Sequence, residues 1–430
     1  MRKLSAALAL AAVACTSAPG ATGDPDEEPR NDGRVEPGIT VLLTDSAAVI
    51  AGKRVGLITN QTGIDRKGRS DIDLIVEAGA RPNGPRLVSL FSPEHGIRGT
   101  EDREDIESGR DARTGLPIHS LYGRATVAPP DSTLRDLDAL IIDLQDLGTR
   151  TWTYVGAMVY AMQSAARNRV AVIVLDRPNP ITATRAEGPM LDSALANPSA
   201  HTAERGGKAY ALHPIPLRHG LTMGELARYY NDVLGIGATL HVIPVRNYER
   251  SLWFDETGLP WVRPSPNMPS LTSAILYPGL VPFEGTNLSV GRGTPEAFQR
   301  LGAPWLDASR VVNLLRDRNF PGARFEAERF SPDNPTDRKY GGREIPGVRI
   351  IVTNRNLVQP TRIGAALLWA IARTTPDSLR VNAGSFDDRF GSPSAREALL
   401  RGDDPEMVID RTLPEVVAFR QRTRQYWLYR

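Results

Sequence analysis

The sequence predicts an α/β protein whose larger part is a parallel β-sheet covered by helices on both faces. Short apolar runs typical of buried strands recur between residues 54 and 245, and segments with helical spacing separate them. The chain has 430 residues, more than one hydrophobic core usually serves, so two domains are expected. Hydrophobic residues make up 41% of the chain and charged residues 24%, as in globular proteins.

The predicted elements alternate in a regular order. Along the chain they are strand 54–59, helix 70–78, strands 87–91 and 139–143, helix 154–166, strand 170–175, helix 223–234 and strand 240–245. Alternation of this kind favours parallel strands joined by crossover helices. Two amphipathic segments, 362–373 and 413–428, predict helices of a smaller C-terminal domain. We therefore expect one domain over 38–258 and a second over 259–430.

The N-terminus has the features of an export signal. Arg2 and Lys3 precede an apolar run, 4–14, that is too short to cross a bilayer. The run ends at Cys15, the only cysteine of the chain, as in bacterial lipoprotein signals whose thiol is lipidated. A simple secretory signal with an incidental cysteine is the alternative. Both interpretations place the protein in the cell envelope, with a signal over 1–15 and a disordered tether over 16–37.

Composition and missing motifs exclude several classes of protein. The 52 basic and 50 acidic side chains give a net charge of only +2, too little to attract nucleic acid through overall charge. One cysteine excludes disulfide frameworks and cysteine-based zinc or iron–sulfur sites. No G-x-G-x-x-G follows the first strand, and the chain has no phosphate loop, G-x-S-x-G or H-E-x-x-H motif. We therefore expect no nucleotide cofactor and no resident metal.

Polar side chains follow four predicted strands at the point where each ends. In parallel sheets these ends share one edge, where ligands bind. The same residue types also cap helices and turns, which is the structural alternative for each one. The pattern at all four ends predicts an active site there, with the candidates Asn60, Glu94, His95, Asp143, Gln145, Asp146, Arg150, Asp176, Arg177 and Asn179.

The second half adds two loops and one histidine. Residues 264–269 form a proline-rich loop that presents Asn267, and His219 precedes a helix that Thr222 and Glu225 can cap. In the second loop, 283–294, glycines flank a set of polar residues, so that the backbone can approach a ligand closely. The alternative is that these glycines form tight structural turns. This set comprises Glu284, Thr286, Asn287, Ser289 and Arg292.

Seven segments resemble, in the same order, the exo-β-N-acetylmuramidases of glycoside hydrolase family 171. They are FSPEHG (91–96), TGLPIHSLYG (114–123), LQDLGTRTWTYV (144–155), LDRPNP (175–180), RHGLTMGELA (218–227), PSPNMPS (264–270) and FEGTNLSVGRGT (283–294). The resemblance extends from about Val41 to the C-terminus. It departs from the family at 100–105, where many members have Gln-Ala-Gly, and at His119, where tyrosine is common.

The resemblance implies release of N-acetylmuramic acid from the non-reducing end of peptidoglycan fragments. It also implies a Rossmann-like N-terminal domain without nucleotide, a smaller α/β domain and a cleft between them. Tyr154 belongs to one of the matching segments and is a further candidate for substrate binding. Muramic acid carries a lactyl carboxylate, which an arginine fork binds well. Four arginines near the motifs are candidates for this contact: Arg98, Arg150, Arg177 and Arg292.

Two carboxylates are usually needed for glycoside hydrolysis. Our hypothesis assigns Glu94 as general acid, oriented by His95, since Phe91 and Pro93 offer an apolar setting that raises an acid's pKa. Asp143 or Asp146 would be the second carboxylate or would hold the 2-acetamido group, and Glu284 is the rival. An N-acetyl sugar can also supply its own nucleophile, and retention and inversion both stay open.

Two other functions are consistent with the same residues. A non-catalytic envelope protein could bind muropeptides with these arginines and amides. A metal-dependent hydrolase could use Asp143, Asp146 and His95, although their spacing matches no familiar ligand set.

Overall fold

A mostly parallel sheet organises the N-terminal part of the protein. The structure is a computed structural model that describes residues 33–94, 96–97, 108–121, 127–199 and 209–430, so that Cys15, His95 and Arg98 lie outside the described residues. The strands of this part are β1 (Arg54–Thr59), β2 (Arg86–Ser92), β3 (Gly109–Arg110), β4 (Pro117–Ser120), β5 (Ala139–Asp143), β6 (Ala171–Leu175), β7 (Glu187–Met190), β8 (Pro216–Arg218) and β9 (Leu240–Ile243). Seven of them form one sheet in the order β3-β4-β2-β1-β5-β6-β9, whereas β7 and β8 pair separately.

Helices cover both faces of this sheet. They are α1 (Gly38–Thr44), α2 (Asp71–Gly79), α3 (Asp131–Leu134), α4 (Thr153–Asn168) and α5 (Met223–Val233). Successive side chains of a strand point to opposite faces. Leu57 and Ile141 accordingly pack in a core with α1 and α2, whereas Ile58 and Ile142 pack in a second core with α4 and α5. The predicted α/β architecture is confirmed.

The C-terminal part combines a small antiparallel sheet with a helical layer. Its strands are β10 (Arg300–Gly302), β11 (Ala323–Phe330) and β12 (Ile345–Val352), in the order β10-β12-β11. Its helices are α6 (Leu271–Leu280), α7 (Ala308–Arg316), α8 (Pro360–Thr374), α9 (Ala383–Phe390), α10 (Pro393–Arg401), α11 (Pro405–Asp410) and α12 (Leu413–Thr423). Short 3-10 helices cover Ala47–Val49, Ser193–Leu195, Phe254–Thr257, Val281–Gly285 and Arg424–Tyr426. In the described part of the chain, no helix is both long and apolar enough to cross a membrane.

The last residues pack back onto the N-terminal part, which is why the helix predicted over 413–428 ends at Thr423. The backbone N–H of Leu428 donates to Glu225 at 2.9 Å, and the Tyr429 hydroxyl donates to Asp176 at 2.6 Å. The Arg250 guanidinium stacks 4.0 Å from the centre of the Trp427 ring. Gly33–Arg430 forms one compact unit, and the boundary predicted between 258 and 259 stays a prediction.

A buried group of polar side chains fills the point where the strand order of the large sheet reverses. In the sheet, β2 lies on one side of β1, and β5, the next long strand, lies on the other side, so the strand order reverses between β1 and β5. Here Arg177 forms a two-pronged ion pair with Asp143, with Nε–Oδ1 and Nη2–Oδ2 distances of 2.5 and 2.9 Å. The Thr59 hydroxyl donates to Asp71, and both side chains are fully buried. We call Thr59, Asp71, Asp143 and Arg177 the switch-point cluster.

The switch-point cluster has two carboxylates but one cation. Burial and the neighbouring charge of Asp143 raise the pKa of Asp71 well above its usual value, against the opposing effect of the Thr59 hydroxyl. Burial also raises the pKa of Asp143, and the Arg177 guanidinium opposes this rise. One guanidinium cannot neutralise both acids, so we assign the charge to Asp143 and the proton to Asp71.

We expect the substitution Asp71→Asn to flatten the dependence of the free energy of unfolding on pH. An acid whose pKa is raised in the folded state contributes most stability below its unfolded pKa of about 4 and loses it as the pH rises through the folded value. Asparagine resembles the protonated acid and does not titrate. Urea unfolding at several pH values between about 4 and 8 measures the slope. Asp73→Asn, on the same helix but with a partly exposed side chain paired to Arg113, is the control; an unchanged slope in Asp71→Asn would contradict the assignment.

Candidate active site

A cavity of about 160 Å³ lies between the N-terminal and C-terminal parts, beside the carboxyl ends of β2 and β5. Two carboxylates, two arginines, one amide and several hydroxyls line it together with apolar and aromatic side chains. The lining residues are Glu94, Thr151, Trp152, Thr153, Tyr210, Ser265, Asn267, Met268, Tyr277, Val281, Glu284, Arg292, Phe298 and Arg389. Both parts of the fold contribute, so the cavity exists only where they pack together.

Glu94 enters the cavity from the loop that follows β2. The hydroxyl of Thr153, the first residue of α4, donates to Glu94 Oε2. Tyr154 follows Thr153 in α4, and burial and the charge of Glu94 both raise the pKa of its phenol. That phenol donates to the Pro264 carbonyl at 2.6 Å and so ties the proline-rich loop to α4. Within the described part of the chain, no cation forms an ion pair with Glu94.

Glu284 reaches the cavity from the opposite side and is held by two arginines. Arg292 donates to Oε1 through Nε at 3.0 Å and through Nη2 at 2.5 Å, and Arg389 Nε lies 3.3 Å from Oε2. Burial raises the pKa of Glu284, but the charges of Arg292 and Arg389 outweigh it, so the pKa lies below its usual value. Glu284 is therefore ionised at neutral pH.

Among the described residues, arginines outnumber carboxylates on the wall of the cavity around Glu284. Arg292 and Arg389 supply two cations against one carboxylate, and Asp337 balances the nearby Lys339. The ammonium group of Lys339 donates to the backbone carbonyls of Glu284 and Leu288 at 3.2 and 3.0 Å. An anionic group of a ligand is therefore favoured at this wall.

Aromatic rings shape the rest of the cavity. Trp152 makes edge-to-face contacts with Tyr154 and Tyr277, with ring centres 5.3 and 5.8 Å apart, and Tyr277 packs on Phe298 at 4.8 Å. The guanidinium of Arg389 lies 4.8 Å from the centre of the Tyr210 ring. Rings that are fixed in this way present rigid, partly apolar surfaces next to the charged groups.

The structure brings four of the predicted site residues to the cavity: Glu94, Asn267, Glu284 and Arg292. His95, Arg98 and the atypical segment 100–105 lie outside the described residues. His119 packs its ring 5.4 Å from that of Phe91 and does not line the cavity.

Asp143 and Arg177 do not line the cavity, because they bind each other in the switch-point cluster. Asp146 is likewise paired with a buried residue, since its Oδ2 lies 3.2 Å from Nε2 of His219. The backbone N–H of Leu221 donates to His219 Nδ1 at 3.1 Å. Each pair ties the end of β5, or the loop that follows it, to another loop.

Four more predicted residues hold loops together at the edge of the sheet. Asp176 accepts hydrogen bonds from Thr222 and the Gly224 amide, and burial raises its pKa to about 6. The remaining three bond as follows: Asn179 Nδ2 donates to the Leu221 carbonyl, Gln145 Nε2 donates to the Pro178 carbonyl, and Asn60 Oδ1 accepts from the Thr62 amide. Their roles match the structural alternative considered for each.

The glycine-flanked loop behaves in the same way at three positions. Thr286 donates to the Phe283 carbonyl at 2.7 Å, and Asn287 donates to the Ser378 carbonyl at 2.9 Å. Ser289 accepts from the Gly291 amide at 3.1 Å. Arg150 and Tyr154 also bond to backbone carbonyls instead of lining the cavity. Of this loop, only Glu284 and Arg292 reach the cavity.

The cavity also contains residues that the sequence analysis missed. Thr153 lies inside a recognised segment, but nothing singled it out there. Tyr210 and Arg389 lie outside all seven segments, and no local pattern marks them. Among the residues that the structure describes, no group of three His, Cys, Asp or Glu side chains is placed to hold a metal ion.

Comparisons with known proteins give a consistent picture over nearly the whole chain. Residues 55–272 match the family model described as exo-beta-N-acetylmuramidase NamZ, N-terminal, and residues 275–429 match the corresponding C-terminal model. The chain is 35% identical over 415 residues to the peptidoglycan beta-N-acetylmuramidase NamZ of Bacillus subtilis (strain 168), covering 96% of each protein.

Two crystal structures of DUF1343-family proteins from Bacteroides fragilis are similar in fold. The first has a TM-score of 0.81 and 32% sequence identity, and the second has a TM-score of 0.71 and 25% identity. Each alignment covers 92% of this chain and 99% of the other.

Proposed function

This chain belongs to the NamZ family of exo-β-N-acetylmuramidases, and from that premise we propose how its cavity carries out the reaction. The protein is a glycoside hydrolase that releases N-acetylmuramic acid from peptidoglycan-derived chains. The observation that carries the proposal is that two carboxylates in one cavity have different partners: two arginines bind Glu284, whereas a hydroxyl group donates to Glu94.

Glu94 acts as the general acid. Among the described residues, no arginine or lysine forms an ion pair with Glu94, whereas Glu284 is paired with two arginines. Thr153 donates to Oε2, and among the described residues Oε1 accepts no hydrogen bond, so Oε1 is the oxygen that would protonate the glycosidic oxygen of the leaving group. Because α4 begins at Thr153, the positive end of its dipole also stabilises the carboxylate that forms once the proton is transferred.

Arg292 and Arg389 bind the lactyl carboxylate that distinguishes muramic acid from glucosamine. Planar guanidinium groups bind carboxylates through paired hydrogen bonds, and two of them line this wall of the cavity. Glu284 orients the two guanidinium groups by accepting hydrogen bonds from both. We call Arg292, Arg389 and Glu284 the carboxylate clamp.

Export to the cell envelope completes the proposal. The basic start, the short apolar run and the position of Cys15 support a lipoprotein signal that attaches the chain to a membrane through lipid. The substrate supports the same location, because peptidoglycan lies outside the cytoplasm.

We expect Glu94→Gln to lower kcat about 100- to 10,000-fold on a muramic acid–glucosamine disaccharide, since the sugar leaving group needs a proton. The loss should be much smaller on a 4-nitrophenyl β-muramide, because nitrophenolate leaves without one. Initial rates on both substrates provide the test. Glu344→Gln, a change in an exposed ion pair with Arg329, is the control and should behave like the wild type. An equal loss on both substrates would argue against proton transfer by Glu94.

Arg292→Met should raise KM for the muramide about 10- to 100-fold with little change in kcat, which is the range for losing a charged hydrogen bond. Converting the lactyl carboxylate of the substrate to its amide should raise the KM of the wild-type enzyme by a similar factor. The same conversion should barely affect Arg292→Met. Steady-state kinetics of both enzymes on both substrates measure this. Arg349→Met, which removes an arginine paired with Glu296 away from the cavity, is the control. If the variant still distinguishes acid from amide fully, Arg292 does not contact that group.

Cys15→Ser should move the protein from the membrane fraction to the soluble fraction of the envelope, because serine cannot form the thioether to lipid. Fractionation and immunoblotting of cells that express each variant measure this, with Ser17→Ala as the control. Wild-type protein that is already soluble would favour the simple secretory signal.

A further inference from the structure

Arg150 is a buried arginine whose guanidinium bonds to backbone carbonyls across the boundary between the two parts of the fold. It lies in the loop after β5 and is 4% exposed. Its Nη1 donates to the carbonyls of Tyr210 and Asp388 at 3.1 and 2.9 Å, and its Nη2 donates to the carbonyl of Arg389 at 2.7 Å. The sequence pattern suggested a contact with substrate, but Arg150 does not line the cavity.

The carbonyls that Arg150 binds explain how a cation is tolerated there. Asp388 and Arg389 lie in the last turn of α9, where free carbonyls carry the negative end of the helix dipole. Three carbonyl acceptors therefore bind the two Nη groups of the buried cation without a carboxylate. Gly391, with φ of 102°, follows α9, and a Cβ at this position would lie only 3.0 Å from Arg150 Nη2. Glycine thus allows the guanidinium to approach the end of the helix.

Two of the three acceptor residues line the cavity with their side chains. Tyr210 and Arg389 stack on each other, and Arg389 contacts Glu284 of the carboxylate clamp. Ser385, one turn earlier in α9, accepts from Arg389 Nη1 at 2.7 Å through its hydroxyl. Arg150 fixes the backbone of both stacked residues, so a shift of its guanidinium would move both side chains together.

We propose that Arg150 is a positioning residue that sets the place of Arg389 and Tyr210 in the cavity and so determines affinity for the muramic acid carboxylate. This inference rests on the carboxylate clamp of the proposed function. Arg150 itself does not touch the substrate. It acts through the backbone of α9 and of the segment that carries Tyr210.

The test is a double-mutant cycle on KM for the 4-nitrophenyl β-muramide. Arg389→Met should raise KM about 10- to 100-fold, and Arg150→Met should raise it by a comparable factor, since small displacements of a binding group have effects of this size. If Arg150 acts through Arg389, the double variant should be no worse than Arg389→Met alone. Arg150→Lys, which keeps the charge but loses the fork, should fall between wild type and Arg150→Met, and it replaces Arg150→Met if that variant does not fold.

A second measurement distinguishes positioning from general destabilisation. Amide hydrogen exchange over 385–391 should accelerate in Arg150→Lys. It should not accelerate in Arg250→Lys, the control, which alters another buried arginine, one that bonds to Glu225 and to the carbonyls of Ala183 and Gly220. Arg250→Lys should lower the melting temperature without changing KM.

The outcomes separate the two proposals. If Arg389→Met raises KM and Arg150→Met or Arg150→Lys does not, or if the effects of Arg150 and Arg389 are additive, the positioning role is overturned and the clamp stands. If Arg389→Met leaves KM unchanged, the clamp itself is overturned, and the inference about Arg150 fails with it.

Discussion

The ion pair between Asp143 and Arg177 is the constraint on which the N-terminal part of this fold depends. Both charges are buried, and removing one partner of a buried ion pair typically costs about 3–5 kcal/mol of stability because the other charge is left uncompensated. The pair joins the ends of β5 and β6, and Arg177 Nη2 also donates to the Ile64 carbonyl at 3.0 Å, which fixes the loop after β1. With Asp71 beside it, the pair fills the crevice where related sheets bind nucleotides. The reactive cavity lies instead toward the C-terminal part.

The cavity depends on a second constraint, which is the packing of the two parts against each other. Glu94 follows a strand of the large sheet, whereas Glu284 belongs to the short helix after α6, and neither part holds both carboxylates. The contacts that join the parts are specific and mostly buried: the Tyr154 phenol to Pro264, Arg150 to the end of α9, and Tyr429 to Asp176. The two carboxylates therefore meet in one cavity only because the two parts of the fold pack together, and Glu284 is the one that pairs with arginines.

Sequence patterns predicted five strands of the large sheet, three of the helices that cover it and the position of Glu94 after a strand, since each is encoded by neighbouring residues. They also predicted which polar side chains follow the strand ends, but not whether each side chain points into the cavity. Asp143 and Arg177 turn toward each other instead of toward the cavity, a result of strand pairing that local sequence does not contain. Tyr210 and Arg389 were missed because only packing brings the end of α9 against the loop after β5. β11 was also missed: its largely exposed, charged sequence lacks the apolar run of a buried strand.

The contact between Arg150 and α9 uses backbone atoms, and this has an evolutionary consequence. Carbonyl oxygens are present whatever side chain a residue carries, so substitutions along α9 can accumulate without breaking the joint. Position 389 in particular can change its chemistry while its location relative to Glu94 is maintained. A single substitution at position 389 could therefore give a descendant of this enzyme a preference for a neutral or differently charged sugar. The backbone that positions the new side chain would stay unchanged.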